Sequence, residues 1–338
     1  MLYFCTYFDS NYLVKGLALY RSLVRHAMPF RLWVLCFDDL TCEILQKLAL
    51  PQVHPISIAD LEYGDEQLLR AKGGRSRVEY YFTCRSSLLL YVLRNWPEVD
   101  VITCIDADLC FFSDPSPIYK ELDAGSVLIV EHRFPPHLSR LEVHGIYNAG
   151  FLSFRRDDAA LQCLHWWRER CLEWCYDRVE GGRFADQKYL NDWPIRFRRV
   201  VVVQHKGADL APWNVANYCL RVDTGQVITD SEPLIFFHFH GFKQLRQWLY
   251  DPGLAQYGVR ADPLLKRHIY GPYIRELQQV AHLVSSLIDR PYIKLGSIRS
   301  GVEANIFYRI ARKIINQLSV TKMLLQGQLL VVIDEKVV

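Results

Sequence analysis

Apolar residues along the first two thirds of the chain follow two alternating periods. Residues 2–7, 31–37 and 99–105 are short apolar runs rich in β-branched and aromatic side chains, as expected of strands buried on both faces. Residues 12–26 and 80–95 instead carry apolar side chains three or four positions apart, which is the period of a helix with one buried face. This alternation predicts an α/β protein with a doubly wound, mostly parallel sheet covered by helices on both sides.

The later part of the chain continues this alternation and then changes. The further predicted elements are a helix at 41–50, strands at 126–131 and 150–154, a helix at 159–176, a short helix within 184–191, and strands at 200–204 and 234–239. From about residue 261 helical patterns dominate, and the next clear strand is at 329–333. We therefore expect one α/β domain over residues 1–255 and a mainly helical C-terminal extension over 256–338.

Charge and composition narrow the classes of function. The formal net charge is only +3 over 338 residues, and nucleic-acid-binding proteins usually carry a stronger basic excess, so nucleic acid is not an expected partner. The ten cysteines are scattered, several of them inside apolar runs, which favours a reducing compartment over a disulfide framework. The chain shows no signal-peptide pattern and no apolar run of about 18 to 20 residues. We expect a cytoplasmic protein, or one attached to a membrane surface.

Two aspartates directly follow the apolar run at residues 99–105. Asp106 and Asp108 stand one residue apart at the predicted carboxyl end of a strand, where open α/β sheets place their ligands. Another apolar run follows at once, and two like charges between apolar runs are costly unless something neutralises them. Carboxylates of this kind suit Mn²⁺ or Mg²⁺. The pair predicts a cation site, although two aspartates that only form a turn are an alternative.

Five segments in order resemble the GT-A type nucleotide-diphospho-sugar transferases, and in particular glycosyltransferase family 8 with glycogenin and bacterial lipooligosaccharide galactosyltransferases. The segments are TYFDSNYLVKGLALYRSL at 6–23, IDADLCFFSDP at 105–115, NAGFLSFRRD at 148–157, ADQKYLND at 185–192 and HFHG at 238–241. The resemblance covers about residues 1–245. It implies a GT-A fold and a glycosyltransferase that uses a UDP-sugar donor, a divalent cation (Mn²⁺ or Mg²⁺) and a glycan, lipid-linked or protein acceptor.

The resemblance also implies a role for individual residues. Donor-binding positions are Thr6, Asp9, Tyr12, Arg85, Ala107, Asn148 and Lys243. Asp186 is expected to contact the donor sugar, and Gln187 to lie near the reaction centre. The cation ligands implied are Asp106, Asp108 and His238. Trp213 and Asn214 are expected to line a sugar pocket, where a tryptophan face suits the apolar side of a sugar ring.

Several of these positions have a plain structural alternative. Asp9 or Ser10 is also suited to cap the following helix. Arg85 is also suited to a solvated helix face, and Thr83 is a rival for its place. His240 competes with His238, because alternate residues of a strand share a face. Lys243 lies in a segment that is one residue shorter than the family pattern and lacks its proline. Trp213 is equally suited to a place in the core.

The implied reaction transfers a sugar to an acceptor hydroxyl with retention of configuration. A non-catalytic protein that binds sugar nucleotides is the main alternative. A sugar-phosphate nucleotidyltransferase is a weaker one, since the loop after the first strand lacks the glycine-rich phosphate cradle. A further expectation concerns residues 306–318, which form a basic amphipathic helix pattern suited to an anionic membrane surface or to packing on the protein itself.

Overall fold

The computed structural model describes residues 1–288, 320–333 and 336–337. Its strands are β1 (Leu2–Phe8), β2 (Phe30–Cys36), β3 (Val53–Ser57), β4 (Val101–Ile105), β5 (Leu109–Phe111), β6 (Val127–Glu131), β7 (Tyr147–Arg155), β8 (Val200–Val202), β9 (Leu220–Asp223), β10 (Gln226–Thr229), β11 (Glu232–Pro233), β12 (Phe236–His238), β13 (Lys243–Arg246), β14 (Leu249–Asp251), β15 (Leu330–Ile333) and β16 (Lys336–Val337). The helices are α1 (Leu13–His26), α2 (Asp39–Leu48), α3 (Ile58–Glu62), α4 (Glu66–Gly73), α5 (Arg77–Asn95), α6 (Ser116–Leu122), α7 (Asp158–Glu173), α8 (Trp193–Arg196) and α9 (Gly271–Leu287).

The central sheet holds seven strands in the described residues, in the order β3-β2-β1-β4-β7-β6-β8. Strand β1 runs parallel to both β2 and β4, while β7 runs antiparallel to β4 and to β6. The predicted doubly wound, mostly parallel sheet is therefore confirmed. Because β7 is reversed, its first residues lie beside the carboxyl end of β4, so two separate segments meet at one edge of the sheet.

Helices cover both faces of the sheet, because each strand at its centre is apolar on both sides. On one face, α1 and α9 pack into a core that includes Leu13, Leu17 and Leu277. On the other face, α5 and α7 pack into a core that includes Leu88, Leu89 and Trp167. These two layers leave the carboxyl end of β4 at the rim of the fold.

A two-stranded sheet extends this rim. Strands β5 and β12 pair antiparallel, with Leu109 opposite His238. The backbone N–H of Phe239 donates to the carbonyl of Asp108 over 2.9 Å, and that of His238 donates to the carbonyl of Leu210 over 2.8 Å. Strands β5 and β12, more than one hundred positions apart in the sequence, are thereby fixed side by side.

The segment after residue 255 packs on the sheet domain. Glu276 of α9 forms ion pairs with Arg21 (2.9 Å) and Arg25 (2.6 Å) of α1, and Tyr273 stacks on Phe239 with ring centroids 3.6 Å apart. Strand β15, at the position predicted for the late strand, pairs with β14. The predicted boundary near residue 255 stays a prediction, and the helix pattern at 306–318 lies outside the described residues. Among the described helices, none has the length and apolar character needed to cross a bilayer.

Candidate active site

The two aspartates and the histidine of the predicted cation site meet at the rim of the sheet. One ligand atom from each of Asp106, Asp108 and His238 lies within 4.8 Å of the other two. His238 Nε2 is 3.3 Å from Asp108 Oδ1 and 3.9 Å from Asp106 Oδ2. Two carboxylates and one imidazole are a donor set that suits Mn²⁺, so the residues present fit a divalent cation.

The three side chains lie at the ends of three strands: Asp106 follows β4, Asp108 precedes β5 and His238 ends β12. Strand β4 is apolar and ends at Ile105, after which the N–H of Asp106 donates to the carbonyl of Gly150 on β7 over 3.0 Å. The pairing of β5 with β12 brings His238 alongside Asp108. His240 is exposed, with its ring centroid 5.9 Å from that of His238. The imidazole of His238 is therefore the one that meets the two carboxylates.

A buried carboxylate that sequence reasoning missed stands behind His238. Asp209 is completely buried, and its Oδ1 lies 3.6 Å from His238 Nδ1. Asn148 joins the pair, because its Nδ2 lies 3.0 Å from both carboxylate oxygens of Asp209 and 3.0 Å from His238 Nδ1. A carboxylate of this kind orients a metal-binding histidine. Its only sequence signal is an acid between apolar residues in the segment that precedes Trp213.

The electrostatics of His238 follow from this arrangement. Burial alone would lower its pKa, but the interactions with the carboxylates of Asp108 and Asp209 outweigh burial and raise the pKa to about 10. Burial alone would raise the pKa of Asp108, yet the interaction with His238 and the charge of Lys15 hold that pKa well below its ordinary value. Without a cation, the histidine is thus held as an imidazolium between two carboxylates.

Arg85 of α5 is a buried cation at the centre of the site, so its placement on a solvated face is wrong. Only 3% of its surface is exposed. Its guanidinium lies 3.0 Å from Asp106 Oδ1 and 2.9 Å from Asp186 Oδ2, and it also donates to Tyr7 and to the carbonyl of Ala149. Thr83, the rival position, donates to the carbonyl of Glu79 within its own helix. Arg85 therefore links the first aspartate of the pair to Asp186.

Asp186 and Gln187 lie at the start of a short 3₁₀ turn, Lys188–Asp192. Burial raises the pKa of Asp186 to about 6, against the lowering effect of Arg85. The Gln187 amide accepts from the N–H of Ala149 and donates to the carbonyl of His144, each over 3.2 Å. Gln187 is thus hydrogen-bonded to β7 and Asp186 is paired with Arg85, and their roles toward a donor stay predictions.

Lys15 of α1 is a second site residue that sequence reasoning did not single out. Its Nζ lies 3.7 Å from Asp108 Oδ2 and 4.4 Å from the centre of the Tyr12 ring. Burial lowers the pKa of Lys15, Asp108 opposes this, and the nearby charge of Lys243 lowers it further. Tyr12 therefore lies against Lys15 beside Asp108, whereas Lys243 is exposed and affects Lys15 only through its charge; the donor-binding roles of Tyr12 and Lys243 stay predictions.

The first loop is organised by Asp9. Its carboxylate accepts hydrogen bonds from the backbone and side chain of Asn11 and from Tyr81, and pairs with Arg77 at 2.9 Å. Thr6 is fully buried on β1, and its hydroxyl has no hydrogen-bond partner among the described residues. Ala107 is also buried, between the two aspartates. The donor-binding roles of these residues stay predictions.

The predicted sugar-pocket residues lie beside the histidines. The ring of Trp213 meets that of His238 edge to face, with centroids 5.1 Å apart, and that of His240 at 5.5 Å. Asn214 is fully buried, donates to the carbonyls of His132 and Asp209, and accepts from the N–H of Ala211. These contacts hold the loop that carries Asp209, and the pocket roles of Trp213 and Asn214 stay predictions.

Two proteins of Bacillus subtilis resemble this chain in sequence. The chain is 32% identical to the uncharacterized protein YfnD of Bacillus subtilis (strain 168) over 280 residues, which covers 82% of this chain and 89% of YfnD. It is 35% identical to the uncharacterized protein YfnF of the same strain over 248 residues, which covers 71% of this chain and 81% of YfnF. No family model matches the chain.

Among solved structures, the galactosyltransferase LgtC in complex with donor and acceptor sugar analogues superposes with a TM-score of 0.52 at 14% identity, covering 88% of this chain and 98% of LgtC. The fold is therefore that of the GT-A glycosyltransferases, as the sequence motifs indicated, and it carries an acid pair with a histidine at the expected edge. The chain belongs to the protein family that contains YfnD and YfnF.

Proposed function

We propose that this protein is a glycosyltransferase that moves a sugar from a UDP-sugar donor to an acceptor hydroxyl, with a divalent cation held by Asp106, Asp108 and His238. The observation that carries the proposal is the convergence of these three side chains at the carboxyl end of β4 in a GT-A fold. Buried ionic groups with strongly shifted pKa values, among them His238 and Asp186, surround these three side chains, which favours a catalytic site over a site that only binds sugar nucleotides.

Other residues of the chain bind the nucleotide, the diphosphate and the sugar of the donor in this proposal. Tyr12 and Asp9 border the nucleotide, and Lys243 supplies a positive charge for the diphosphate. Arg85 holds Asp186 and Asp106 in fixed relation, so that Asp186 faces the donor sugar from a preorganised position. When bound, the cation supplies charge stabilisation for the departing diphosphate.

Transfer proceeds with retention of configuration in this proposal. The bond between the anomeric carbon and the diphosphate oxygen breaks, the acceptor oxygen bonds to the same face of that carbon, and the acceptor proton passes to a phosphate oxygen of the donor. Asp186 is ion-paired to Arg85 and buried, and Gln187 is bonded to two backbone groups. Neither is free as a nucleophile, which favours attack by the acceptor on the front face.

The test is a screen of nucleotide sugars for Mn²⁺-dependent hydrolysis or transfer by the purified protein. With the donor that responds, Asp108→Asn is expected to lower the rate at least about a hundredfold, because it removes a charged cation ligand. Asp100→Asn is the matched control, since Asp100 is exposed just before the opposite end of the same strand. Its rate should equal that of the wild type.

Two outcomes would contradict the proposal. One is an unchanged rate in Asp108→Asn. The other is a donor response that is the same with Mn²⁺ and with a chelator. Analysis of the product anomer by NMR tests retention of configuration separately. An inverted product would contradict retention but not the rest of the proposal.

A further inference from the structure

Lys15 is an unusual feature of the cation site, because lysine is rarely buried without a compensating partner. It points from the first turn of α1, and only 4% of its surface is exposed. The only charged side chain of the described residues paired with its Nζ is Asp108, at 3.7 Å. The Nζ also lies 4.4 Å from the centre of the Tyr12 ring, which is a cation–π contact.

Asp108 is shared between two positive partners. Its Oδ2 faces Lys15, whereas its Oδ1 faces His238 Nε2 at 3.3 Å, on the side where the cation ligands converge. The lysine therefore acts on the carboxylate from the side opposite the histidine. Its charge offsets part of the negative charge that would attract a cation.

The net charge of the ion-paired network also indicates that Lys15 weakens the attraction for a free cation. The network consists of Asp106, Asp108, Asp186, Asp209, Arg85, Lys15 and His238. With the acids ionised and His238 neutral, as a histidine must be to bind a metal, the network carries two uncompensated negative charges, which one divalent cation would balance. Without Lys15 the network would carry a third negative charge and would attract a free cation more strongly.

We propose that Lys15 is a built-in cation that weakens the binding of the free divalent metal and makes its tight binding depend on the diphosphate of the donor. The inference rests on the proposed function. The two phosphates bring additional negative charge. This charge attracts both the metal and Lys15, so that the two positive groups then favour the same bound state. Lys15 is thus a positioning residue that couples the metal to the nucleotide.

The inference predicts two effects of opposite sign for Lys15→Met, which keeps the length of the side chain and removes its charge. Without nucleotide, Mn²⁺ should bind at least about fivefold more tightly than to the wild type, because a repelling charge is gone. At saturating Mn²⁺, UDP should bind at least about fivefold more weakly, because a favourable charge is gone. A lysine that only supported packing would weaken both when removed.

Free Mn²⁺ is measured by electron paramagnetic resonance, and UDP binding by calorimetry. Lys15→Arg keeps the charge and is expected to restore both affinities toward those of the wild type. Lys206→Met is the matched control, because Lys206 is paired with Asp230 at 2.8 Å on an exposed surface, and it should change neither affinity.

Unchanged or weaker Mn²⁺ binding by folded Lys15→Met would overturn the inference, and so would unchanged or tighter UDP binding. If that variant does not fold, the wild type still tests the coupling. The inference requires that UDP raise the Mn²⁺ affinity of the wild type at least about tenfold. Equal Mn²⁺ affinity with and without UDP would reject the coupling. A wild type that binds no Mn²⁺ under either condition would instead reject the proposed cation site.

Discussion

At the scale of single residues, the protonation of His238 controls whether the proposed site can bind a cation. Its imidazole lies between Asp108 on one side and Asp209 with Asn148 on the other. A cation ligand must give up its proton, so the carboxylates that would hold a metal also hold the proton that competes with it. Asp209 adds to this competition and also fixes the direction of the ring.

We predict that Mn²⁺ binding strengthens with rising pH. Because interactions with the carboxylates of Asp108 and Asp209 raise the pKa of His238 to about 10, the imidazolium persists through neutral pH, and binding must displace one proton. Between pH 6 and 8.5 the affinity should rise about tenfold per pH unit, with a plateau only near pH 10. A Mn²⁺ titration at several pH values measures the slope.

Asp209→Asn provides the comparison. Loss of this carboxylate removes one of the groups that raise the pKa of His238, so the pH dependence should level off at a lower pH. Its affinity at the plateau should be about tenfold to a hundredfold weaker, because the ring loses its orienting partner. Asp223→Asn, on an exposed strand, should follow the wild type. Identical pH profiles in Asp209→Asn and the wild type would contradict this account.

At the scale of elements, the reversed strand β7 makes the site possible. It runs antiparallel to β4, with Ile105 opposite Phe151, and this brings Gly150 against the histidine of β12. A Cβ at Gly150 would lie 2.8 Å from His238 Cε1 and 3.1 Å from Nδ1. Only a glycine lets β7 and His238 approach this closely.

We predict that Gly150→Ala displaces the imidazole and weakens Mn²⁺ binding at least about tenfold, because the ring loses its place between Asp108 and Asp209. Circular dichroism should show that the fold is retained. Gly73→Ala is the matched control, because a Cβ there meets no atom within 4 Å, and it should bind Mn²⁺ like the wild type. Normal Mn²⁺ affinity in Gly150→Ala would show that the ring is not held as described.

At the scale of the whole molecule, the alternation of apolar periods was enough to predict the type of sheet, most of its strands, its long helices and the edge at which Asp106 and Asp108 lie. The aspartates Asp106 and Asp108 were predictable because they directly follow a buried strand. Lys15 and Asp209 were not, since a lysine in a helix and an acid in a loop look like solvated residues until distant segments fold around them. The β5–β12 pairing, which selects His238 over His240, is likewise a contact between distant segments.

Many short strands and helices were also not predicted from the sequence, and five of them show the local reason. Strand β3 and helices α3 and α4 are short and only partly buried, and the strands β13 and β14 form a small hairpin with mixed polar residues. Short, half-exposed elements carry little periodic signal. They lie at the margins of the fold, whereas the elements that position the cluster are long or strongly apolar.

The most direct test of the central claim is the binding of UDP, measured by calorimetry with Mn²⁺ and with a chelator. In the wild type, UDP should bind at least about tenfold more tightly with Mn²⁺, since the cation balances the charges of the cluster and the diphosphate. The double variant Asp106→Asn with Asp108→Asn should lose this difference. Equal UDP affinity of the wild type under both conditions would contradict the account.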